Sequence, residues 1–371
     1  MKILSLFDGM ACGMLALLKT GIEVEKYIAY EIDKYCIQTT KHNFPEIEQR
    51  GDVFNADFTE FKGCDMLIGG SPCTYWSIAQ KNNRETEASG LGWELFSQYL
   101  RAIKEAKPKY FVYENNKSMS KAIRESIDKA FGFEAVLINS ALLSAQNRQR
   151  LYWVGKRNED GTYSKVDVAL PEDRGILLKH ILETGEDLTS RDKAWTLTAS
   201  YDGAVAWNTI ERSQRNMVVK PVRVGSLPRP NGELSQSQAF RVYSTEGKSV
   251  NLTAGGGGQG GKTGLYAVPV EFENGTPTKA MSFVDGKEYP VYEVKDGLIT
   301  IKGEKYPTKL IDGYYIIRKL TVRECMRLQT VPEWYEFPVS DTQAYKMLGN
   351  GWTVDVIAHI FAHIREDFRK E

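Results

Sequence analysis

The sequence predicts an α/β fold: a doubly wound, mostly parallel sheet with a second, smaller, loop-rich, mostly β domain. Over the first 155 residues, short apolar runs alternate with stretches of helical periodicity, as in a sheet built from crossover units. From about residue 158 the runs become short and β-like, and Gly, Pro, Asn and Ser separate them. We therefore expect domains at 1–158 and 159–340, with a C-terminal segment, 341–371, that returns to the first domain.

The elements of the first domain follow from its apolar runs. The predicted strands are 2–7, 27–31, 65–70, 110–114, 135–139 and 151–154. Between them, residues 93–106 have helical periodicity that stops before Pro108, and residues 119–131 repeat this pattern and end at Gly132. This alternation predicts strands with helices on both faces of the sheet.

Two further helices are predicted near the end of the chain. Residues 321–328 begin with Thr321 and have Glu324 three positions later, which is the spacing of a capping box. Residues 354–368 carry one apolar stripe, so we expect this last helix to pack on the sheet and to cover the ligand pocket.

Composition indicates an ordinary soluble globular protein. The chain has 371 residues, enough for two domains, and its 42% hydrophobic content supports well-formed cores. The cysteines, at positions 12, 36, 64, 73 and 325, form no Cys-x-x-Cys pair, which argues against a disulfide framework or a zinc site. Asp8 interrupts the first apolar run, and no run approaches membrane-spanning length. We expect a cytoplasmic monomer that has no membrane partner.

The charge is balanced over the chain but uneven along it. Lys and Arg together number 48, as do Asp and Glu. Residues 212–262 nevertheless hold eight basic side chains against two acidic ones. Such a surplus suits contact with phosphates, and a solvated loop surface is an equal alternative.

Polar side chains that could take part in catalysis lie at the ends of predicted strands. Cys73 follows the apolar run 66–70, Glu114 ends the next strand, and Arg148 and Arg150 precede the strand at 151–154. In a parallel sheet, ligands bind in the crevice beyond the carboxyl ends of the strands. A thiol there can act as a nucleophile, although a single cysteine is more often a small buried apolar residue.

These motifs and their order resemble the C5-cytosine-specific DNA methyltransferases of prokaryotic or phage type. The shared features are a Pro-Cys, a Glu-Asn and a Gln-x-Arg-x-Arg. Residues 7–13, Phe-Asp-Gly-Met-Ala-Cys-Gly, are similar to the family's first cofactor motif, especially in the animal de novo enzymes, and residues 348–352 are similar to its last. Several motifs in one order are more specific than any one of them. The resemblance implies a methyltransferase sheet, a target-recognition domain and a role in restriction-modification.

The resemblance also implies a site for S-adenosylmethionine. From the residues themselves, Asp8, Gly9 and Gly13 let a backbone approach a ligand, or only form a tight turn. Glu31 ends the second strand, where an acid can accept both ribose hydroxyls, and Asp52 could take the adenine amino group. The implied cofactor residues are Phe7, Asp8, Gly9, Met10, Cys12, Gly13, Glu31, Ile32, Asp52, Val53, Asn350 and Trp352. Among these, Ile32 and Val53 would flank the adenine.

The chemistry implied is covalent catalysis on a cytosine rotated out of double-stranded DNA. Attack of the Cys73 thiolate on C6 makes C5 nucleophilic, and Arg148 or Arg150 could favour the thiolate. Glu114 would hold the base by N3 and N4; the alternative for Glu114 is a surface salt bridge. Residues 74–91 suit a lid over DNA or a plain surface loop.

Two other functions stay open. One branch of the resembling family modifies transfer RNA, although the β-rich insertion from about 160 to 318 favours duplex DNA. A catalytically silent DNA-binding relative is the second, but Cys73, Glu114, Arg148 and Arg150 are all present.

Two further patterns are set aside. Residues 256–263 satisfy the Walker A pattern, but they lack a strand before and a helix after, so we predict a loop with Lys262 at a DNA phosphate and no ATP site. His359 and His363 have the i, i+4 spacing of metal ligands, but too few further ligands follow, so we expect ordinary core and surface histidines.

Two positions depart from the family pattern. Asn116 follows Glu-Asn where valine is common, and Ser71 precedes Pro-Cys where an aromatic residue is frequent. We expect ordinary methyl transfer, with altered base contacts or rate as the alternative.

Overall fold

The computed structural model describes residues 1–72, 75–76, 84–181, 183, 223–227, 241–245, 249, 265–269, 291–301, 303–318 and 321–365. These residues form two compact units. The first lies within Met1–Ser140, Arg148–Glu172 and Gln329–Glu371, and the second within Ala141–Asn147 and Asp173–Leu328. The first unit thus includes 159–172 and 329–340, unlike the first predicted domain, and the predicted boundaries stay predictions.

The sheet of the first unit is mostly parallel, as predicted. Its described strands are β1 (Lys2–Leu6), β2 (Lys26–Tyr30), β3 (Glu48–Gln49), β4 (Met66–Gly69), β5 (Tyr110–Asn116), β6 (Val136–Asn139), β7 (Gln149–Arg157) and β8 (Tyr163–Lys165). Their order is β3-β2-β1-β4-β5-β7-β6, and β8 pairs with β7. Neighbours from β3 to β5 are parallel, whereas β7 runs antiparallel to β5, β6 and β8.

Seven α-helices lie in the described residues. They are α1 (Cys12–Thr20), α2 (Lys34–Asn43), α3 (Gly90–Ala106), α4 (Lys121–Phe131), α5 (Val322–Leu328), α6 (Asp341–Asn350) and α7 (Val354–Ala362). The predicted capping box of α5 is confirmed, because the Thr321 amide donates to the Glu324 carboxylate and the Glu324 amide donates to the Thr321 hydroxyl. None of these helices combines the length and the apolar character that crossing a lipid bilayer requires.

Several element boundaries differ from the prediction for local reasons. β5 does not end at Glu114 but continues to Asn116, because β7 pairs with it as far as Arg150 opposite Asn116. α4 begins at Lys121 rather than 119, because the Ser120 hydroxyl accepts a hydrogen bond from the Ile123 amide and caps the helix.

A cluster of buried aromatic rings packs around β5. Phe96 and Tyr99 of α3, Phe111 of β5, Phe131 of α4 and Trp153 of β7 belong to one buried cluster. The rings of Phe111 and Phe131 stack with centroids 4.9 Å apart. Buried aromatic rings contribute large apolar areas, so the strand that carries Glu114 rests on a rigid base.

The second unit is mostly β, as predicted. Its described strands are β9 (Arg223–Ser226), β10 (Arg241–Ser244), β11 (Leu265–Pro269), β12 (Val291–Lys295), β13 (Leu298–Ile301), β14 (Glu304–Pro307) and β15 (Gly313–Arg318), in the order β14-β13-β12-β15-β11-β10-β9. Val242, Val294, Ile299 and Tyr315 form a small core. Most of the basic segment 212–262, and all of the glycine-rich segment 256–263 with Lys262, lie outside the described residues.

Candidate active site

The carboxyl ends of four neighbouring strands meet at one edge of the first sheet. Leu6 of β1 pairs with Tyr30 of β2 and Gly69 of β4. Gly69 in turn pairs with Tyr113 of β5. The next residue of each strand therefore lies at the same level, and these residues, Phe7, Glu31, Gly70 and Glu114, all line one cavity of about 230 Å³.

Most of the predicted site residues line this cavity. They are Phe7, Asp8, Gly9, Met10, Cys12, Glu31, Glu114, Arg148, Arg150, Asn350 and Trp352. Gly13, Ile32, Asp52 and Val53 are not among the lining residues, and their cofactor roles stay predictions. Cys73 and much of the proposed lid, 74–91, lie outside the described residues.

The segment after β1 has an unusual backbone. Phe7, Gly9 and Ala11 have φ of 58°, 62° and 57°, in the left-handed region. For the two residues with side chains this conformation costs of order 1 kcal/mol each, and such strain concentrates at functional sites. The strain fits a segment shaped to approach a ligand.

Gly13 has a packing role that the sequence did not reveal. A Cβ at this position would lie 2.3 Å from Ile68 Cδ1 and 2.8 Å from the Tyr27 hydroxyl. The glycine therefore lets α1 pack closely against β2 and β4, whereas the motif predicted close approach to a ligand.

Asp8 lines the cavity, and one of its carboxylate oxygens has no hydrogen-bond partner among the described residues. Its Oδ1 accepts hydrogen bonds from the Ser5 hydroxyl and the Tyr27 hydroxyl, each at 2.6 Å. Its Oδ2 is buried and has no partner among the described residues. Burial raises the pKa of the Asp8 carboxyl from 3.8 to about 6. An unsatisfied buried acceptor suits a bound donor or cation.

Glu31 is fixed by backbone amides at the end of β2. Its Oε2 accepts from the Gly9 amide, and its Oε1 accepts from the amides of Ile32 and Asp33, each at 2.8 Å. A carboxylate has about four acceptor positions, so the side chain keeps capacity for further donors. Glu31 thus ties the first two strand ends together and still presents a hydrogen-bond acceptor.

Glu114 receives a donor on each carboxylate oxygen. Arg150 Nε lies 3.1 Å from Oε1, and Trp352 Nε1 donates to Oε2 at 2.9 Å. Arg150 pairs with Asn116 across β5 and β7, so it is a diagonal neighbour of Glu114 on the same face. Both side chains of the ion pair are only 11% exposed, so this is no surface salt bridge.

Arg148 binds the chain that follows α6. Its guanidinium donates to the Gly349 carbonyl at 3.2 Å and to the Gly351 carbonyl at 2.8 Å, and the residue is 3% exposed. A planar guanidinium suits such multiple contacts. The sequence predicted Arg148 beside a thiolate; the contacts found tie it to the segment that carries Asn350 and Trp352.

The C-terminal wall of the cavity comes from α6 and the residues after it. Lys346, Met347, Asn350, Gly351 and Trp352 line it. The prediction that the last helix covers the pocket is wrong, because no residue of α7 lines the cavity. α7 packs against α1 instead, and its apolar residues are buried.

An ion pair connects this wall to α2. Lys346 Nζ lies 2.7 Å from Asp33 Oδ2, and both residues line the cavity. The hydrogen bond to Asp33 raises the pKa of Lys346. No local pattern in the sequence marks a pair so distant along the chain.

The two departures from the family pattern lie in one buried polar network. The Ser71 hydroxyl lies 2.6 Å from the Tyr113 hydroxyl, and Asn115 Nδ2 donates to that tyrosine at 3.1 Å and to the Ser71 carbonyl at 3.2 Å. Asn116 receives a hydrogen bond from the Ser118 hydroxyl on its side-chain oxygen. Both unusual residues therefore support the segment around the strand ends.

Replacing Gly70 with alanine is expected to lower kcat by about ten-fold or more. The new Cβ would lie 2.8 Å from the Glu114 carbonyl and 2.9 Å from its Oε2, so it would displace the carboxylate. Steady-state kinetics of the methyl transfer predicted from the sequence, with thermal unfolding to confirm folding, measure this. Normal kcat in a folded Gly70→Ala protein contradicts the placement of Glu114.

His359 of α7 and His363, the residue that follows this helix, bind backbone groups. His359 Nε2 lies 2.7 Å from the Ala169 carbonyl, and His363 Nε2 accepts from the Ala169 amide at 3.2 Å. Within the described ranges, no group of three or more His, Cys, Asp or Glu residues is arranged to hold a metal ion. Their contacts give these histidines a structural role.

The sequence matches a known family along most of its length. Residues 1–366 match the family described as C-5 cytosine-specific DNA methylase. The type II methyltransferase M1.ScrFI of Lactococcus lactis subsp. cremoris is 29% identical over 387 aligned residues, covering 100% of this chain and 79% of that protein. The orphan methyltransferase M.SPRI of Bacillus phage SPR is 27% identical, covering 98% of this chain and 97% of its own.

A solved structure has the same fold. The Entamoeba histolytica methyltransferase EhMeth superposes with a TM-score of 0.61, covering 100% of this chain and 99% of that one, at 12% sequence identity. At this identity, the likeness supports the fold alone.

Proposed function

The chain belongs to the C-5 cytosine-specific DNA methylase family and is a DNA methyltransferase, and from this premise we propose a mechanism. The methyl group of S-adenosylmethionine is transferred to C5 of a cytosine rotated out of duplex DNA, through a transient bond between Cys73 and C6. The observation that carries this proposal is the buried carboxylate of Glu114, which lies at a strand end with a donor on each oxygen, in one cavity with the family's cofactor motifs.

Cys73 and Glu114 have separate roles: the first attacks the base and the second binds it. The Cys73 thiolate adds to C6, which makes C5 nucleophilic. Glu114 accepts a hydrogen bond from the N4 amino group and shares a proton with N3, and this proton offsets the negative charge that develops on the ring as sulfur adds. After transfer, the C5 proton passes to solvent, its electron pair restores the C5–C6 double bond, and the C6–S bond breaks to release the thiolate. Arg150 keeps the Glu114 carboxylate in place throughout.

The residues at the cavity fit S-adenosylmethionine. Bound there, it supplies an electrophilic methyl group and carries an ammonium group, hydroxyls and a positive sulfur. Glu31 retains one acceptor position for a ribose hydroxyl, and Asp8 Oδ2 is a buried acceptor without a partner among the described residues. Two carboxylates beside a cationic ligand offset its charge.

Replacing Asp8 with asparagine is expected to stabilise the cofactor-free protein at pH 8. Because the folded pKa of Asp8, about 6, exceeds 3.8, the neutral form contributes stability below pH 3.8, and this is lost as pH rises through 6. The ionised carboxylate then costs roughly 3 kcal/mol. Asparagine keeps the acceptor for Ser5 and Tyr27 but gives up Oδ2, so cofactor affinity should fall.

Urea unfolding at pH 8 and pH 4.5 measures this change. The gain in unfolding free energy should be much smaller at pH 4.5, where Asp8 is protonated in the folded protein. An equal gain at both pH values contradicts the assignment, and so does unchanged affinity for S-adenosylhomocysteine in calorimetry.

A duplex target requires base rotation, which costs a few kcal/mol in unstacking and unpairing. The buried position of Glu114, in a cavity of about 230 Å³, supports this step because a paired base inside a duplex cannot reach it. Relatives include both a type II and an orphan methyltransferase, so a partner nuclease is not implied by the family alone.

The test uses tritiated S-adenosylmethionine with duplex DNA and transfer RNA in competition. We expect label in DNA only, recovered as 5-methylcytosine after digestion to nucleosides, and a covalent complex with DNA that carries 5-fluorocytosine. Label in transfer RNA, label on another atom of the base, or failure to trap the complex overturns the proposal.

A further inference from the structure

Trp352 connects the wall of the cofactor cavity with the carboxylate proposed to bind the base. Its indole Nε1 donates to Glu114 Oε2 at 2.9 Å, while Arg150 Nε lies 3.1 Å from Oε1. With a donor on each oxygen, the plane of the Glu114 carboxylate is set, and one further acceptor position per oxygen stays available. One of those positions can accept from the N4 amino group of a cytosine, and the other can face N3 when a proton is shared between N3 and the carboxylate.

The residues on both sides of Trp352 are held in place by other hydrogen bonds. The carbonyl of Gly351 accepts from Arg148 at 2.8 Å. The hydroxyl of Thr353 donates to Gln329 Oε1 at 2.8 Å and lies 2.8 Å from the Ser140 hydroxyl. The indole therefore projects from a fixed point. Because the indole donates a hydrogen bond to Glu114, it also fixes the orientation of that carboxylate.

The backbone that follows β4, the strand next to β5, also restricts Glu114. A Cβ on Gly70 would lie 2.9 Å from Glu114 Oε2, so the backbone at Gly70 already approaches the oxygen that Trp352 contacts. The carboxylate is confined between this backbone and the indole. Loss of the indole N–H would leave Oε2 free to turn about the last side-chain torsion, which is broad for glutamate.

We propose that Trp352 is a positioning residue for Glu114, beyond any contact that it makes with cofactor. The indole N–H orients the carboxylate for the base, so the cofactor wall and the base-binding group form one hydrogen-bonded unit. This inference rests on the proposed function, because it gives Glu114 the role of holding the cytosine. A ligand that packs on Trp352 then affects how well Glu114 binds the base, and the coupling is reciprocal.

Replacing Trp352 with phenylalanine tests the kinetic consequence. Phenylalanine keeps an aromatic wall but has no N–H. We expect kcat at saturating cofactor and DNA to fall by about ten-fold, while the KM for cofactor changes by less than about three-fold. A residue that only lines the cofactor site gives the reverse, a raised KM with kcat unchanged, and that result overturns the proposal.

Trp153 offers a matched control. Its indole Nε1 donates to Asp128 Oδ1 at 2.7 Å, also an indole–carboxylate bond in the first unit, and neither residue lines the cavity. Trp153→Phe should lower the unfolding temperature but leave kcat within about two-fold. An equal loss of kcat in both folded variants means that the effect is general destabilisation, and it overturns the proposal.

An NMR measurement on the cofactor-free protein tests the bond without activity. In protein labelled with ¹⁵N-tryptophan, the indole signal absent from Trp352→Phe belongs to Trp352. In Glu114→Leu this signal should move upfield, because the acceptor is gone, and the Trp153 signal should stay. An unmoved Trp352 signal overturns the proposal, and this measurement decides even where Trp352→Phe does not fold.

The two proposals fail in different ways. Normal methyl transfer by a Cys73 variant rejects the covalent mechanism and leaves the indole–carboxylate bond testable by NMR. An inactive Cys73 variant together with a Trp352→Phe protein of normal kcat rejects the positioning role alone.

Discussion

Replacing Cys73 with serine is expected to abolish methyl transfer, with a loss of more than about a thousand-fold. The reason is chemical: a thiolate is accessible near neutral pH, whereas a serine hydroxyl has neither the acidity nor the nucleophilicity to add to C6. Transfer of tritium to DNA measures the rate, and trapping on DNA with 5-fluorocytosine measures covalent addition. Both should be lost together.

Cys64 provides the control for this substitution. It is buried, 4% exposed, and lies outside the cavity lining, and burial raises the pKa of its thiol to about 12. A protonated thiol in the core cannot act on DNA, so Cys64→Ala should keep kcat. Transfer at the normal rate by Cys73→Ser rejects the nucleophile, whatever the control does.

Replacing Arg148 with alanine should cost both stability and cofactor binding. The backbone carbonyls of Gly349 and Gly351 lose their hydrogen bonds from Arg148, and Gly351 keeps only the longer contact from Gln329 Nε2 at 3.3 Å. Arg148 is 3% exposed, so water does not replace it freely. We expect the unfolding free energy to fall by roughly 2–4 kcal/mol. The segment that carries Asn350 and Trp352 loses one of its anchors, so the dissociation constant for S-adenosylhomocysteine should rise by at least about ten-fold.

Urea unfolding and calorimetric titration measure the two effects. Arg327 is a matched control, since it donates to the Ile181 carbonyl at 3.0 Å in the second unit and does not line the cavity. Arg327→Ala should lower stability without changing cofactor affinity in the folded protein. Unchanged affinity in Arg148→Ala would mean that this arginine supports the fold but not the cavity wall.

Local sequence patterns predicted the components of the site because the components follow local rules. Phe7, Glu31 and Glu114 were placed near the carboxyl ends of β1, β2 and β5 because parallel strands end at one edge, and all three line the cavity there. Arg148 and Arg150 share a face because side chains alternate along an extended chain. The ends of elements were less predictable, since pairing with β7 decides where β5 stops.

Contacts between residues that lie far apart in the sequence could not be predicted. Nothing near Arg148 in the sequence indicates that it binds the carbonyls of Gly349 and Gly351, and nothing near Asp33 indicates Lys346. Such contacts depend on which helix returns to which strand end, and α6, not the last helix, does so. Gly13 shows a related limit, because a ligand-binding glycine and a packing glycine have the same local pattern.

The cavity draws its walls from segments far apart in synthesis. A nascent chain that has extended through β5 carries Asp8, Glu31 and Glu114, but the ribosome has not yet made residues 346–352, which complete the wall. Until they emerge, the site proposed for the methyl donor is incomplete, and Arg148 has no carbonyls of 349 and 351 to bind. Ligand binding stabilises only a state that contains the site, so the donor cannot assist the folding of the first strands during translation.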